Sequence, residues 1–386
     1  RVLSQSGKPL ASINEASGSI ESIEGDLSLS LTGAGEGALL PEIFGLSIDT
    51  SGQFSELKAN LDVGVLPISL LARSLGVPGL DESDLIAGTS FGATVLRDGG
   101  LDHVDLVLAS QEGVVRIPGI DETISRLDAA LSYRPSADEV VISRLGVESD
   151  RLQGTLSGRL VNVLSENKLR RIELASDSLD FDLTPMFESA WTLSDVAVSA
   201  DVSDDFTVIA FDKAGFSVDD VEIRASGELD LSVDHKDGEI PLKLDLSTEA
   251  IGEFGKATVL KFWPVKLGDG GRRFVSQNLN AGIVTEASAR LELKPDSMAQ
   301  GFLRDEDLTV TFGFKGGDVR FMSDMPPATR AIGIGKLGGN SLSVAVTSAI
   351  YDDWNIQSAD VKFPQLNPRG QDFFVTAIGS GPAISI

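Results

Sequence analysis

Cysteine is absent from the 386 residues. That excludes disulfides, thiolate metal sites and a cysteine nucleophile. Histidine is nearly absent: His103 and His235 stand alone, far apart in sequence. A zinc site and a histidine-based triad therefore lack their parts. Positive charge is scarce. The 32 Lys and Arg face 58 Asp and Glu, for a formal net charge of −26 and a pI near 4.4. A nucleic-acid backbone is repelled by such a surface, and no basic stretch with interleaved aromatics offsets it. Anionic bilayer surfaces are repelled as well. A charged, solvated exterior is the plainer reading of this acidity than a cation-binding role. No apolar run approaches the ~20 residues of a membrane-spanning helix. The chain starts Arg1-Val2-Leu3, with neither Met nor signal peptide. It is therefore read as a piece of a longer protein whose anchor or targeting segment lies elsewhere.

What the chain has in quantity is alternation. Leu229-Asp230-Leu231-Ser232-Val233-Asp234 is followed by Asp237-Gly238 and then by Leu242-Lys243-Leu244-Asp245-Leu246-Ser247. Side chains on a strand alternate faces, so each run has one apolar and one polar face. Asp-Gly between two such runs predicts a hairpin. The pattern recurs at 27–31, 104–108, 179–183, 196–202, 289–293, 310–314 and 342–346. The 42% hydrophobic content fits a folded chain, and 40 Gly fit many turns.

Strands are expected from about residue 10 to 65, with Gly33, Gly35 and Gly37 loosening one connection. Pro67 opens a short helix over 68–75, stopped by Gly76 and Pro78. Further short helices are expected over Pro118–Leu127, Thr184–Trp191 (Thr184 as N-cap) and Gly271–Leu279. Strands fill the rest, broken at Met325-Pro326-Pro327. The plan is mainly β: long antiparallel meanders punctuated by a few short helices, hinting at divergent repeats. One continuous elongated unit is expected, with segments 1–255 and 256–386.

Motifs that carry chemistry fail on context. Gly88-Thr89-Ser90-Phe91-Gly92 matches a nucleophile elbow, but a strand, not a helix, is expected after it. Gly333-Ile334-Gly335-Lys336-Leu337-Gly338 matches a dinucleotide fingerprint, but a strand follows where a helix N-terminus is needed. It is read as a glycine-rich turn. The pairs Asp204-Asp205, Asp219-Asp220 and Asp352-Asp353 lack ordered calcium-ligand spacing and read as solvated turns. Nothing singles out a carboxylate pair among 58 Asp and Glu. No enzyme activity and no cofactor are expected.

Phe262-Trp263-Pro264, then Arg272-Arg273-Phe274-Val275, Asn278-Leu279 and Gly282 form an ordered set. Phe314–Arg320 (read as a strand pair), Met325-Pro326-Pro327, Gly333 and the tail Gly379-Ser380-Gly381-Pro382 complete it. This stretch, about a third of the chain, resembles the AsmA-like superfamily of bacterial envelope proteins, and within it the YhdP-like branch. Phe274 stands where many relatives carry Trp. Trp263 and Pro264 are expected to fill a strand-to-helix corner and to perform no chemistry. The resemblance implies an elongated antiparallel sheet curled into an open apolar groove. It implies a periplasmic lipid conduit between inner and outer membranes, anchored to the inner membrane by a segment this chain lacks. Phospholipid or another acyl lipid is the implied partner, with further envelope proteins and no nucleic acid.

The residues taken alone agree, because an open groove lets alternating strands keep one face dry without a second sheet. The expected lining is Leu229, Leu231, Val233, Leu242, Leu244, Leu246, Leu291 and Leu293, then Val310, Phe312, Phe314, Leu342, Val344 and Val346. Two rivals share the alternation. An outer-membrane barrel wants girdles of Tyr and Trp, whereas this chain has 2 Tyr and 3 Trp against 18 Phe. A structural or adhesive β-sandwich would instead pack its apolar faces on each other. A glycoside- or ester-processing enzyme is a distant third.

Overall fold

The computed structural model describes residues 2–3, 9–24, 26–37, 44–51, 55–75, 83–117, 120–165, 169–204, 207–234, 236, 239–265, 268–321, 325–368 and 370–382. His235 and the expected turn at Asp237-Gly238 lie outside them. The chain divides into two compact units. The first comprises Arg1–Leu179 with Val198–Thr207, the second Asp180–Ala197 with Val208–Ile386.

The first unit holds β1 (Val2–Leu3), β2 (Pro9–Ile23), β3 (Asp26–Gly37), β4 (Phe44–Ser51), β5 (Glu56–Pro67), α1 (Ile68–Leu75), β6 (Ile86–Leu96) and β7 (Leu101–Ser110). It continues with β8 (Gly113–Ile117), β9 (Ile120–Arg134), β10 (Glu139–Ser149) and β11 (Leu152–Val161). The strands β12 (Arg170–Phe181) and β13 (Trp191–Val202) give residues to both units. In the second unit follow β14 (Val208–Val218), β15 (Val221–Asp230), β16 (Lys243–Gly255), α2 (Lys256–Phe262), α3 (Asp269–Asn278) and β17 (Leu279–Leu293). It ends with β18 (Leu308–Val319), β19 (Ala328–Gly338), β20 (Leu342–Tyr351), β21 (Trp354–Phe363) and β22 (Phe374–Ser380).

Each unit is an open antiparallel meander. In the first, neighbours in sequence pair from β1 to β7, β9 takes both β7 and β8 along one edge, and β10 and β11 follow. In the second, every strand from β14 to β22 pairs with the next. Among the described residues neither meander closes into a barrel. The mainly β, antiparallel reading holds, and the seven recurring runs all lie on strands, the fourth to its end and the third through Phe181.

Several local expectations do not hold. Residues 120–134 are strand, not helix: Ile120, Ile124 and Leu127 have helical spacing, but ladders on both edges override it. A bulge between Glu148 and Ser149 shifts the register, which lets both Ile124 and Leu127 pack in the core. Thr184–Trp191 forms one turn only. The Asp182 carboxylate accepts the Thr184 N–H at 2.8 Å, and Leu183 O accepts from Met186 and Phe187. Trp191 then enters β13, ending the turn. The helix α2 lies where strand was expected; Gly255 is its N-cap and Trp263-Pro264 ends it. Gly33, Gly35 and Gly37 sit inside β3, and Gly333–Gly338 inside β19, not in turns. The Phe314–Arg320 stretch is the end of one strand and its exit, not a strand pair.

The hairpin of β15 and β16 exists, but its connection runs from 231 to 242. The Asp230 carboxylate accepts both the Ser232 N–H (2.8 Å) and the Ser232 hydroxyl (2.6 Å), which turns the chain out of the ladder. Leu231, Val233 and Leu242 are therefore off the strands.

Candidate functional site: an apolar face without a cover

Register decides which residues share a face, because directly paired residues of an antiparallel ladder point the same way. In the second unit Leu229 pairs with Leu244, and Leu244 with Leu293. Leu246 pairs with Leu291, and Leu291 with Leu308. The next row runs Ala289, Val310, Leu337, Leu342, Phe363. Two further rows run Ala287, Phe312, Gly335, Val344, Val361 and Val284, Phe314, Gly333, Val346, Ala359. Eleven expected lining residues (Leu229, Leu244, Leu246, Leu291, Leu293, Val310, Phe312, Phe314, Leu342, Val344, Val346) thus share one face. Leu308, Leu337, Val361 and Phe363 belong to it too and were missed. The alternation Asp360-Val361-Lys362-Phe363 was the signal for the last two.

The opposite face carries Glu222, Arg224, Ser226 and Glu228 on β15, and Glu286, Ser288 and Arg290 on β17, all exposed. The apolar partners Ile223, Ala225, Leu229, Ala287, Ala289 and Leu291 are half-buried. A flat bare sheet exposes its two faces alike. A second sheet packed on the apolar face would bury it fully. Half-burial of these apolar residues against exposure of their polar neighbours shows that the apolar side chains pack on one another across the ladder. The ladder is also irregular. Bulges follow one another across the strands, between Ile251 and Phe254, Val284 and Glu286, Phe314 and Gly317, and Thr329 and Ile332. Each bulge adds twist and bends its strand.

The two ends of this unit are tied down. At one end α2 and α3 connect β16 to β17. Arg272 of α3 pairs with Glu188 and reaches Trp263 O at 3.4 Å. The Phe262 ring meets Trp191 edge-on with centroids 5.2 Å apart, and Trp191 packs on Phe187 at 4.5 Å. Phe262, Trp263 and Arg272 thus build a corner. At the other end Asp307, 1% exposed, takes a forked pair of hydrogen bonds from Arg304, both 2.9 Å. The Ser297 hydroxyl donates to it at 3.3 Å. These bonds to the charged form, led by Arg304, hold the Asp307 carboxyl below the usual carboxylate range, and Asp307 holds the guanidinium above its own. Asp305 accepts the Asn340 N–H at 2.7 Å, and Ile240 N–H reaches Pro295 O at 3.1 Å. The loops at this end are laced together.

The first unit has an apolar face of the same kind. One row runs Leu31, Leu46, Leu61, Phe91, Leu106, Leu131, Ile142. Here one end is covered: Ile68 of α1 and Leu85 pack on Ala87, Leu108, Val115, Ile124 and Ala129.

The rejected motifs sit in ladders. Ser90 lies mid-strand in β6, paired with Asp62 and Val107. His103, on β7, holds Asp102 at 2.8 Å and Thr94 at 3.3 Å, away from Ser90. Asp219-Asp220 and Asp352-Asp353 are strand-to-strand turns. Among the described residues no group of three or more acidic or histidine side chains is placed to hold a metal ion. Among the same residues no helix is long and apolar enough to cross a membrane.

A sequence model of the family described as YhdP protein matches residues 142–385. The resemblance noted from Phe262 onward is therefore borne out, and the match extends well upstream of it. No curated protein and no solved structure matches the chain.

Proposed function

The chain belongs to the YhdP family, and from that premise we propose that it carries acyl chains of phospholipid, or of another acyl lipid, along its apolar sheet faces. Membership points to lipid transfer in the bacterial envelope and to a transport-type role, not an enzymatic one. On this reading the chain is a periplasmic segment of a bridge between inner and outer membranes, anchored to the inner membrane by a segment outside this sequence.

The observation that carries the reading is the continuous apolar face of the second unit, which among the described residues of that unit is only half-buried around Leu244, Leu291 and Val344. Each methylene moved from water onto such a face is worth about 0.8 kcal/mol, so an acyl chain is held firmly by contacts that demand no fixed geometry. A lining of Leu, Val and Phe repeats from strand to strand, so the chain slides with little change in energy. The polar head stays in water. The sandwich reading needs a second sheet to bury Leu244, Leu291 and Val344 fully, and their half-burial speaks against it.

The test is direct. The protein is purified without detergent and an organic extract is analysed by mass spectrometry. Acyl lipid recovered in near-stoichiometric amount is the expected result. A lipid-free protein that also takes up no photoactivatable acyl lipid would sink the proposal.

A further inference from the structure

Along β19 the apolar face has almost no side chains: Ala331, Gly333 and Gly335 are buried, while Ile332 and Ile334 point to the other side and are exposed. The space above the two glycines is taken by the neighbouring strands. Gly335 pairs with Phe312, and a Cβ built on Gly335 would meet the far edge of the Phe312 ring, with Cε2 at 2.6 Å and Cε1 at 2.7 Å. Gly333 also pairs with Phe314, but a Cβ there would meet the β20 backbone first: Ala345 O stands nearest, ahead of Phe314 Cζ at 2.9 Å and Val346 Cα at 3.0 Å. The two ring centroids lie 6.3 Å apart, with their planes tilted by 42°. The Phe312 ring leans across the inter-strand gap so that its far edge lies over Gly335.

We infer that Phe312 sets the depth of the lipid groove in the second unit, and that Gly335 is the positioning residue that lets its ring lean over β19. The inference rests on the lipid-carrying reading of this face. Phe is large, and standing upright on β18 it would project into the space an acyl chain needs. Opposite a residue with a Cβ at position 335, the ring must leave this pose. Gly335 thus keeps clearance for a passage above the ring. The face gains polarizable apolar area and keeps its clearance.

Gly335→Ala lifts the Phe312 ring; Phe312→Ala deepens the groove; the double variant removes the clash. Each is purified and loaded with a diazirine-bearing phosphatidylcholine, and crosslinked lipid is counted by mass spectrometry. Circular dichroism and the thermal midpoint monitor the fold. The expected result is a loss of loading of at least fivefold in folded Gly335→Ala, and recovery in the double variant to the level that Phe312→Ala alone gives. Phe312→Ala alone is expected to raise loading of a methyl-branched acyl probe at least twofold. Rescue by removing the ring is a readout that a merely structural glycine would not give. If Gly335→Ala does not fold, Phe312→Ala with the branched probe decides. Wild-type loading in folded Gly335→Ala, a double variant that stays empty, or an unchanged response of Phe312→Ala to the branched probe would overturn the inference. Wild-type protein that takes up no lipid at all overturns the function reading itself, and this inference with it.

Discussion

The two units present the same kind of surface and finish it differently. In each, register lines up Leu, Val, Ile and Phe on one face of an antiparallel meander. In the first, α1 and the segment leading into β6 lay Ile68 and Leu85 over one end, and Leu85 is 0% exposed. In the second, the helices and long loops pack at the strand ends, and Leu244, Leu291 and Val344 stay half-buried. Alternation makes a face apolar. Connections between strands decide whether that face becomes a core or remains a surface.

The comparison yields predictions of decreasing size. All three Trp, at 191, 263 and 354, belong to the second unit, so their fluorescence follows it while circular dichroism follows both. Leu85→Ala is expected to destabilise the first unit by about 3 kcal/mol or more, as a deletion in a fully buried site. Urea denaturation followed by circular dichroism checks this. A cost below about 1 kcal/mol would mean that the cover is not a core. Asp307→Ala removes the buried member of an ion pair whose Arg304 side chain is about a third exposed, and is expected to cost about 2 kcal/mol, visible in the Trp transition.

The Asp307 carboxyl also makes stability pH-dependent. Its folded pKa lies below the unfolded one, so its contribution is complete above the ordinary carboxylate pKa of about 3.9 and is lost as pH falls through the folded value. The gap in midpoint between wild type and Asp307→Asn should be widest above about pH 5 and close below about pH 4. A gap that stays constant to pH 3 would disprove this assignment. Leu244→Asp sharpens the comparison further. Buried in a core, the same change costs several kcal/mol. On the uncovered face the carboxylate keeps its water, so the loss should be about 1 kcal/mol, from cross-strand contacts with Leu229 and Leu293. Bound lipid should fall sharply. Unfolding at that site would restore the sandwich reading. Ser90→Ala, within a ladder and remote from a base, should shift stability by less than about 0.5 kcal/mol and abolish no esterase activity.

Much of this was legible in the residues. The runs at 104–108, 289–293, 310–314 and 342–346 fall on strands, and their apolar positions share a face with their partners. The short helix over 68–75 follows from Pro67 and an amphipathic run. The misses are places where a local signal competed with a distant partner. Ile120, Ile124 and Leu127 keep helical spacing, yet two strands claim that segment. Leu231 and Val233 keep strand spacing, yet Asp230 bends the chain away first. Gly333 and Gly335 spell a turn or a phosphate loop; the close backbone of Ala345 explains the first and the Phe312 ring the second.

By itself the sequence determined that this protein is an antiparallel β chain with a dry and a wet face and without a thiol. Period-two patterning and composition are local properties, and they require nothing from distant residues. Only the tertiary structure decided that the dry face is covered near Leu85 and half-buried near Leu244, and that the Phe312 ring leans over Gly335. Cover and clearance depend on which segments meet across the sheet, and that is settled by register, bulges and connections acting together.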